Sequence, residues 1–169
     1  MKQYESYKDS GIEWFGMIPS HWSVAKIKNL FEVISGATPD SNDEKYWDGD
    51  IKWITPADYK SSDHYVQEGK RNITIEGYES CGTTLVPAGS VIFSKRAPIG
   101  TVAICINELC TNQGCLSCVP KKNVSSSYYY YLFCVLTDAF EMFGSGSTFL
   151  EISAFNFANF PITAPSFYE

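Results

Sequence analysis

The sequence contains none of the short motifs that mark common catalytic sites. It lacks a phosphate-binding loop, a nucleophile elbow around a serine, and the paired histidines of a metalloprotease helix. The glycine-rich loop that binds a methyl donor and the Asn-Pro-Pro-Tyr type of motif found in adenine methyltransferases are also absent. Histidine is scarce, with only two residues. We therefore expect a protein without a catalytic site of its own and without a cofactor.

Long apolar stretches are missing as well. No segment approaches the ~20 apolar residues that a membrane-spanning helix requires, and the opening residues Met1–Glu5 do not resemble a secretory signal. The remaining composition is that of a globular protein, with 44% hydrophobic and 19% charged residues, and 169 residues fit one domain. We expect a cytoplasmic protein that makes no membrane contact.

Positive charge is in short supply. Lysine and arginine number 13 against 19 aspartates and glutamates, which gives a formal net charge of −6. A protein that binds nucleic acid on its own is usually basic, because phosphate contacts supply much of the affinity. If this chain binds DNA, we expect its cations to cluster on one face and a partner protein to provide most of the phosphate contacts.

The six cysteines raise the question of a zinc site. Cys115 and Cys118 have the spacing of one ligand pair, but a structural zinc site usually shows two such pairs or nearby histidines, and neither His21 nor His64 is close in sequence. The alternative is that these thiols lie in buried strands, where cysteine behaves as a small hydrophobic residue. We favour the buried strands and expect no metal.

Strand signals dominate the middle of the chain. Ile51–Ile54 and Val91–Ser94 are short apolar runs bounded by breakers. Thr101–Ile106 and Cys115–Val119 follow with the spacing of hairpin partners. Thr55–Asp58 has the sequence of a helix start, with threonine as the N-cap and proline at the first position.

The clearest helix begins near Ser125 or Ser126 and ends before the Gly144–Ser147 segment. A second short helix is predicted after a cap at Ser153, followed by an extended segment over Phe160–Thr163. Three- and four-residue spacing predicts one buried stripe along the first helix, which assigns its tyrosines to packing rather than to base stacking. The stripe consists of Tyr128, Tyr131, Leu132, Val135, Leu136, Ala139, Phe140 and Phe143.

Polar turns that follow predicted strands supply candidate DNA contacts. Arginine can donate two hydrogen bonds to guanine, and asparagine or glutamine can bind adenine in the same way. The first group, for bases or backbone, is Lys95, Arg96, Asn112 and Gln113. The second group, for phosphates, is Lys52, Lys60, Lys70, Arg71, Ser145, Ser147 and Thr148. Each turn taken alone is also typical of an ordinary solvated loop.

An ordered series of motifs resembles the specificity subunits of type I restriction–modification enzymes. The opening Tyr7–Trp22 (YKDSGIEWFGMIPSHW) is the most distinctive of them. The others follow in family order: Ser35–Pro39 (SGATP), Asp48–Asp58 (DGDIKWITPAD), Leu85–Ser94 (LVPAGSVIFS), Arg96–Gly100 (RAPIG), Thr111–Gly114 (TNQG) and Gly146–Thr148 (GST).

The resemblance implies an α/β (α+β) target-recognition domain with a curved, mostly antiparallel sheet, flanking helices and long DNA-facing loops. We expect residues 1–169 to form this single domain, with residues 1–23 as an N-terminal arm packed on it through Trp14, Phe15 and Trp22. The family's spacer helix and second recognition domain would be absent, because the chain stops where the first spacer helix normally begins. The chain would then be a fragment or an excised domain.

By the same resemblance, the expected function is to read one half of a split target in double-stranded DNA. The expected partners are a methyltransferase subunit and, through it, a restriction subunit. Because Arg96, Asn112 and Gln113 lie in segments shared across the family, they suit a phosphate or structural role better than the choice of base.

Three alternatives remain open from the sequence. The chain is also typical of a recognition domain from a fused restriction–methylation enzyme. A truncated protein-interaction module that occupies the methyltransferase without DNA is a second alternative. The third is a cysteine hydrolase using Cys81 and His64, although nothing in the sequence orients that pair.

Overall fold

The computed structural model describes residues 4–60, 62–146 and 150–166. The fold combines short helices with mostly antiparallel sheets, which confirms the predicted α/β (α+β) class. The strands are β1 (Tyr7–Asp9), β2 (Met17–Pro19), β3 (Ser23–Lys26), β4 (Phe31–Ser35), β5 (Trp47–Ile54), β6 (Tyr65–Val66), β7 (Arg71–Ile73), β8 (Val91–Lys95), β9 (Ile99–Cys105), β10 (Cys110–Thr111), β11 (Cys115–Pro120) and β12 (Pro161–Ala164).

Five helices accompany these strands in the described part of the chain, and all are short. None of them is both long and apolar enough to cross a lipid bilayer. The predicted caps are confirmed: Thr55 begins a 3-10 turn over Pro56–Asp58, and Ser153 accepts a hydrogen bond from the Asn156 backbone. The helices are α1 (Ile27–Leu30), α2 (Ile75–Ser80), α3 (Ser126–Val135), α4 (Thr137–Met142) and α5 (Ala154–Asn159).

The central sheet has five strands in the order β4-β11-β8-β9-β6. Its first three pairings are antiparallel, and β6 joins the edge parallel to β9. The predicted hairpin between Thr101–Ile106 and Cys115–Val119 is wrong, because β8 lies between these two strands. The hairpin is instead formed by β8 and β9, which are joined by the short turn after Lys95. After β9, the chain forms β10 in a second sheet and then re-enters the central sheet as β11.

The second sheet has three strands in the order β10-β5-β7. β10 runs parallel to β5, and Thr111 lies opposite Ile54 at the ends of the two strands. β7 pairs antiparallel with β5 on the other side. Two small ribbons, β1-β2 and β12-β3, complete the described strand pairs. The end of β5 therefore lies beside the turn that leads from β10 into the central sheet.

The predicted helix after Ser125 begins where expected, with the Ser125 side chain accepting a hydrogen bond from the Tyr128 backbone. It does not run through to Phe143 as one helix, because α3 ends at Val135 and α4 starts at Thr137. α4 places Phe140, which is fully buried, against the main core.

The predicted buried stripe is only partly right. Tyr128 and Leu132 of α3 pack against the core, and Leu136, Ala139 and Phe140 are buried. Tyr131, Val135 and Phe143 are exposed. Tyr129, Tyr130 and Phe133 are buried, whereas Tyr131 is 59% exposed and Val135 is 76% exposed. A run of adjacent tyrosines satisfies the helical period in more than one register, so spacing alone does not select the buried face. Contact with the central sheet makes that choice.

The main core lies between the central sheet and the helices α3, α4 and α5. Its centre is a set of interlocking aromatic rings. Phe93 of β8 packs 5.0 Å from Phe140 and 4.5 Å from Phe157, measured between ring centroids. Phe140 also contacts Phe160 at 4.4 Å. Burial of such large rings supplies much of the stabilisation of a domain of this size.

The N-terminal segment contacts this core through its aromatic residues. Trp14 stacks on Phe160 at 4.9 Å, and Phe15 also packs against the core. Trp22 lies edge-on to Tyr128 of α3 at 6.0 Å. Aromatic stacking therefore joins residues near the start of the chain to the helical layer.

Four of the cysteines are buried in strands, as predicted for Cys105, Cys115 and Cys118. Cys105 lies on β9, Cys110 on β10, and Cys115 and Cys118 on β11, and all four are fully buried. Burial raises the pKa of Cys110 to about 11 and that of Cys115 to about 12. The protonated thiols therefore pack as small apolar groups.

Candidate nucleic-acid interface

Several strand ends meet at one edge of the central sheet. In the antiparallel registers, Cys115 at the start of β11 lies opposite Ser94, and Leu116 lies opposite Ser35 at the end of β4. The segments that follow Ser35 and Lys95, and the segment that precedes Cys115, therefore emerge side by side. We call this edge, with residues 35–39, 55–58, 95–98 and 111–114, the strand-end surface.

The Asn112–Gly114 turn is fixed by hydrogen bonds on three sides. The Asn112 backbone N–H donates to the carbonyl oxygen of Ile54 at 2.9 Å. Its side-chain Oδ1 accepts from the Gly114 N–H at 2.9 Å, and the Lys95 N–H donates to the Gly114 carbonyl oxygen at 3.0 Å. The two segments of the first candidate group, Lys95–Arg96 and Asn112–Gln113, are thus direct neighbours.

Gln113 projects from this turn and is exposed. The Thr38 hydroxyl donates a hydrogen bond to Gln113 Oε1, and the Ala37 N–H donates to the Thr111 carbonyl oxygen at 2.9 Å. Gly36 packs so closely on Thr111 that a side chain would collide with its carbonyl oxygen. Thr38 was not among the predicted site residues, although the Ser35–Pro39 motif contains it.

The Lys95–Arg96 turn is organised by an acidic residue that the sequence analysis did not identify. Glu151 Oε1 lies 2.8 Å from Lys95 Nζ, and Glu151 Oε2 accepts a hydrogen bond from Arg96 Nη1 at 3.2 Å. The Lys95 side chain is only 15% exposed, whereas that of Arg96 is 38% exposed. Arg96 therefore faces solvent more than Lys95 does.

Ser145 lies on the other side of the same acidic residue. Its backbone exchanges two hydrogen bonds with Glu151, at 2.9 and 3.0 Å, and its side chain is exposed. The structure thus brings Ser145 close to the Lys95–Arg96 turn. Ser147 and Thr148, which were predicted with it as phosphate contacts, lie outside the described residues.

The Thr55–Asp58 turn joins the strand-end surface through Pro56. A β-carbon at Gly114 would lie 3.0 Å from Cγ of Pro56, so the close contact between the two turns leaves little room for a side chain there. Asp58 Oδ2 accepts hydrogen bonds from the Thr55 N–H at 2.7 Å and the Thr55 hydroxyl at 2.9 Å. Its Oδ1 accepts from the Lys70 N–H at 3.1 Å, which ties Lys70 to the same turn.

The second candidate group is split between two places. Lys60 and Lys70 are exposed; Lys60 closely follows the Thr55–Asp58 turn in sequence, and the Lys70 backbone is hydrogen-bonded to it. Lys52 and Arg71 lie on opposite faces of the three-stranded sheet, because Lys52 pairs with Asn72 while Arg71 pairs with the adjacent Trp53. The structure does not bring Lys52 and Arg71 together.

Arg71 is held by two contacts. Its guanidinium lies 3.9 Å from the ring centroid of Trp47, and its Nε is 4.0 Å from Asp48 Oδ1. Stacking on a buried indole orients a guanidinium, while the side chain keeps 44% exposure. Arg71 therefore presents an oriented cation beside the strand-end surface.

An acidic segment, residues 40–50, borders these cations and leads through a 3-10 turn into β5. Two buried indoles anchor it and the preceding turn. Trp47 Nε1 donates to the Asp40 carbonyl oxygen at 3.0 Å, and Trp53 Nε1 donates to the Ala37 carbonyl oxygen at 3.0 Å. Positive charge on the strand-end surface is thus local and has negative charge beside it, as the overall charge of −6 would suggest.

The residues of the hydrolase alternative occupy different surroundings. Cys81 Sγ lies 3.6 Å from the Gly77 carbonyl oxygen at the end of α2. The His64 ring is stacked between Tyr65 and Tyr130, with centroid distances of 4.4 and 4.1 Å. Among the described residues there is no hydrogen bond between Cys81 and His64, so the pair does not form a nucleophile and its base.

Comparison with known proteins identifies the family. The family model described as "Type I restriction modification DNA specificity domain" matches residues 19–169. The specificity subunit of the type I restriction enzyme MjaIX from Methanocaldococcus jannaschii is 42% identical over 154 residues, which is 89% of this chain and 36% of that protein. The HindI specificity subunit from Haemophilus influenzae is 24% identical over 88% of this chain and 33% of its own length.

Solved structures share the fold. The HsdS subunit from Thermoanaerobacter tengcongensis superposes with a TM-score of 0.69 at 17% identity, over 96% of this chain and 37% of that one. The S subunit of a type I restriction–modification system from M. genitalium gives a TM-score of 0.58 at 13% identity, over 85% of this chain and 34% of that one. The chain spans about a third of the length of the curated relatives it matches. The resemblance found in the sequence motifs is confirmed, and the chain belongs to the type I restriction modification DNA specificity domain family.

Proposed function

We propose that this chain recognises sequence in double-stranded DNA, reading one half of a bipartite target as a single recognition domain of a type I restriction–modification complex. The observation that carries the proposal is the strand-end surface. There, the Lys95–Arg96 and Asn112–Gln113 turns from distant parts of the sequence are joined by the hydrogen bond from the Lys95 N–H to the Gly114 carbonyl oxygen. Membership of the family supports the same function.

The side chains of this surface fall into two groups: those whose polar groups are free to contact DNA and those that hold the turns in place. Arg96 and Gln113 project outward, and both carry hydrogen-bond donors that suit a base edge or a phosphate. Asn112 uses its Oδ1 within its own turn and Lys95 is largely buried, so these two act mainly by holding the turns in place.

The phosphate contacts are assigned to exposed groups around this centre. Lys60 and Lys70 are exposed cations at the Thr55–Asp58 turn, and Arg71 is an exposed cation stacked on Trp47. Ser145 offers a hydroxyl near the Lys95–Arg96 turn. Ser147 and Thr148 remain predicted contacts from the sequence. Lys52 is half-buried within the second sheet and is therefore the weakest candidate for a phosphate contact.

We further propose that the chain is the non-catalytic component of its complex and acts in the cytoplasm. A methyltransferase subunit, and through it a restriction subunit, would perform the chemistry on the DNA that this chain selects. The methyltransferase would flip the target adenine out of the duplex and hold the methyl donor. Such a partner also accounts for the charge of −6, because it supplies phosphate contacts that this chain lacks.

Sequencing of the methylated genome tests this function. Host cells that carry the intact gene are compared with cells in which the gene is disrupted and with cells that express Arg96→Ala. We expect a bipartite adenine methylation mark that disappears on disruption and is depleted in the variant. A methylation pattern that is identical in intact and disrupted cells would contradict the proposal. A mark made by one longer polypeptide carrying its own methyltransferase would favour the fused-enzyme alternative.

A protein-interaction role is the second candidate, and exposed apolar side chains favour it. Val135 of α3 and Met142 of α4 are 76% and 74% exposed, and Tyr131 is 59% exposed. Substitution Val135→Glu tests this role by co-purification with the methyltransferase. Loss of the partner with unchanged DNA binding would favour an interaction module, whereas unchanged co-purification would exclude this face.

A further inference from the structure

Glu151 connects two predicted DNA-contact segments through its backbone. Its N–H donates to the Ser145 carbonyl oxygen at 3.0 Å, and its own carbonyl accepts from the Ser145 N–H at 2.9 Å. The next residue, Ile152, is fully buried and donates its N–H to the Lys95 carbonyl oxygen at 3.0 Å. The position of the Glu151 side chain is therefore fixed by the core and by both segments.

The Glu151 carboxylate lies between two cations. One oxygen is 2.8 Å from Lys95 Nζ and the other is 3.2 Å from Arg96 Nη1. The hydrogen bond from Lys95, and the charges of Lys95 and Arg96, lower the pKa of the Glu151 carboxyl. The carboxylate thus stays ionised near neutral pH, and the three side chains together carry one net positive charge.

A carboxylate and a phosphate offer similar oxygen acceptors to lysine and arginine. Lys95, with 15% exposure, has its acceptor inside the protein. Arg96 keeps 38% exposure, and its Nε and Nη2 atoms make no hydrogen bond with any residue in ranges 4–60, 62–146 and 150–166. The Glu151 carboxylate therefore neutralises Lys95 and orients Arg96.

We propose that Glu151 is a positioning residue of the DNA interface, which orients Arg96 toward the target and keeps Lys95 away from the phosphates of non-target DNA. This inference rests on the proposed function, because it assumes that the strand-end surface meets DNA. It assigns to an acidic residue a contribution to specificity rather than to affinity.

The proposal predicts that loss of the Glu151 charge raises the affinity for non-specific DNA and lowers the preference for the target. Neutralising Glu151 releases Lys95 and frees the guanidinium of Arg96 to move. Non-specific affinity then rises, because it depends on the number of phosphates that cations neutralise. Target affinity falls relative to it, because base reading requires an oriented donor. A residue with a merely structural role would weaken both kinds of binding together.

The experiment reconstitutes the chain with its methyltransferase partner and measures binding of the complex to two duplexes by fluorescence anisotropy over ~0.05 to ~0.2 M salt. One duplex carries the methylated motif and the other a scrambled version. For Glu151→Gln, we expect non-specific binding to tighten by up to roughly tenfold, with a salt slope steeper by about one. We expect the target-to-scrambled affinity ratio to fall by about tenfold.

Glu108→Gln is the matched control, because it makes the same change in charge at an exposed site. Lys95 pairs with Ile99 at the start of β9, whereas Glu108 follows the end of that seven-residue strand, roughly 20 Å away. We expect Glu108→Gln to leave the affinity ratio unchanged. Glu151→Asp, which keeps the charge, should retain non-specific affinity close to that of the wild type.

Lys95→Met gives a second readout that does not depend on the stability of the Glu151 variants. Methionine keeps much of the aliphatic stem, so the packing is preserved. If Glu151 already withholds Lys95 from phosphates, Lys95→Met leaves non-specific affinity unchanged. A several-fold loss would show that Lys95 binds phosphate directly and would overturn the proposal.

The outcomes for the two proposals are distinct. If the wild type prefers the target but Glu151→Gln weakens both duplexes equally, or changes neither, the positioning role is wrong while the proposed function stands. If the wild type shows no preference and no salt-dependent binding to either duplex, the proposed function fails, and the role of Glu151 fails with it.

Discussion

The indole Nε1 of Trp53 donates a 3.0 Å hydrogen bond to the carbonyl oxygen of Ala37. This bond ties the buried part of β5 to the Ser35–Pro39 turn, and that turn carries Thr38, the partner of Gln113. A core residue of the second sheet is thereby connected to an exposed amide on the strand-end surface. A substitution in the core of that sheet should therefore displace residues of the strand-end surface and weaken DNA binding.

Trp53→Phe removes this hydrogen bond while keeping an aromatic ring in the site. We expect a loss of a few kcal/mol in the free energy of unfolding, of which about 1 kcal/mol comes from the unsatisfied Ala37 carbonyl and the remainder from lost packing. Urea denaturation measures the stability. The comparison variant is Trp47→Phe, which loses the corresponding bond to Asp40. Target binding should fall more for Trp53→Phe, and equal losses would contradict the connection through Thr38.

Asp58→Ala should disrupt the Thr55–Asp58 turn and its link to Lys70. The substitution removes three hydrogen bonds, two from Thr55 and one from the Lys70 backbone. Loss of a capping side chain costs about 0.5–2 kcal/mol, and we expect a decrease in that range from thermal or urea unfolding. Asp63→Ala is a control that removes a half-exposed carboxylate, which accepts a hydrogen bond from the Lys60 N–H in the next turn. An unchanged stability for Asp58→Ala would show that the turn is held by Pro56 packing alone.

Arg96→Ala and Lys60→Ala should weaken DNA binding in different ways. The shared family segment favours a phosphate role for Arg96, but its orientation by Glu151 beside the Asn112–Gln113 turn favours base reading. Its loss should then reduce target affinity by about 1–3 kcal/mol and relax the sequence preference. Lys60 is an exposed cation, and its loss should weaken target and scrambled duplexes alike, with a salt slope smaller by about one. Salt-dependent binding isotherms distinguish the two. Parallel losses on both duplexes for Arg96→Ala would assign it to phosphate.

The cysteines should react with iodoacetamide in the order of their exposure. Burial raises the pKa of Cys115 to about 12 and that of Cys110 to about 11. Few of these thiols are ionised at neutral pH, and burial also blocks the reagent. Cys81 is half-exposed, so we expect mass spectrometry of the native protein to find it labelled well before Cys115. Labelling of all six at similar rates, as in urea, would contradict the buried assignment.

Stability should depend on pH through Glu151. Hydrogen bonding to Lys95 lowers the pKa of the Glu151 carboxyl in the folded protein below its value in the unfolded chain. Its contribution is therefore fully present above the unfolded pKa and is lost as the pH falls through the folded pKa. We expect Glu151→Gln to be less stable than the wild type near neutral pH, with a difference that shrinks in acid. Urea unfolding at several pH values measures it, and a difference that is constant with pH would contradict the ion-pair assignment.

Local elements were predictable because their signals lie within a few residues. The Thr55 cap, the Ser125 and Ser153 caps and the strand over Val91–Ser94 all appear where the sequence predicts them. A capping hydroxyl bonds to a backbone N–H only two or three residues away, so sequence neighbours suffice. The same holds for Cys105, Cys115 and Cys118, which lie in short runs of mostly apolar residues. The hairpin partner of β9 was predicted wrongly, since strand order depends on which edges meet in three dimensions.

The candidate site was predictable as segments but not as an assembly. The Lys95–Arg96 and Asn112–Gln113 turns stand out in the sequence, and the structure brings them together. The residues that hold them were not found. Arg96 and Glu151 are 55 positions apart, and Thr38 and Gln113 are 75 apart, so no local pattern links either pair. The sequence offered one indirect signal for Glu151: Lys95 and Arg96 are adjacent cations with no acidic residue near them in sequence.

The sequence by itself determined the family, several strand-forming segments and the starts of α3 and α5, because motif order and local capping patterns are properties of sequence neighbours. Only the tertiary structure decided that β8 separates β9 from β11, that Tyr129 and Tyr130 rather than Tyr131 face the core, and that Glu151 joins Lys95 to Arg96. These choices depend on packing and on charge pairing between segments that are remote in sequence. Their energies arise only when the sheets and helices are in contact.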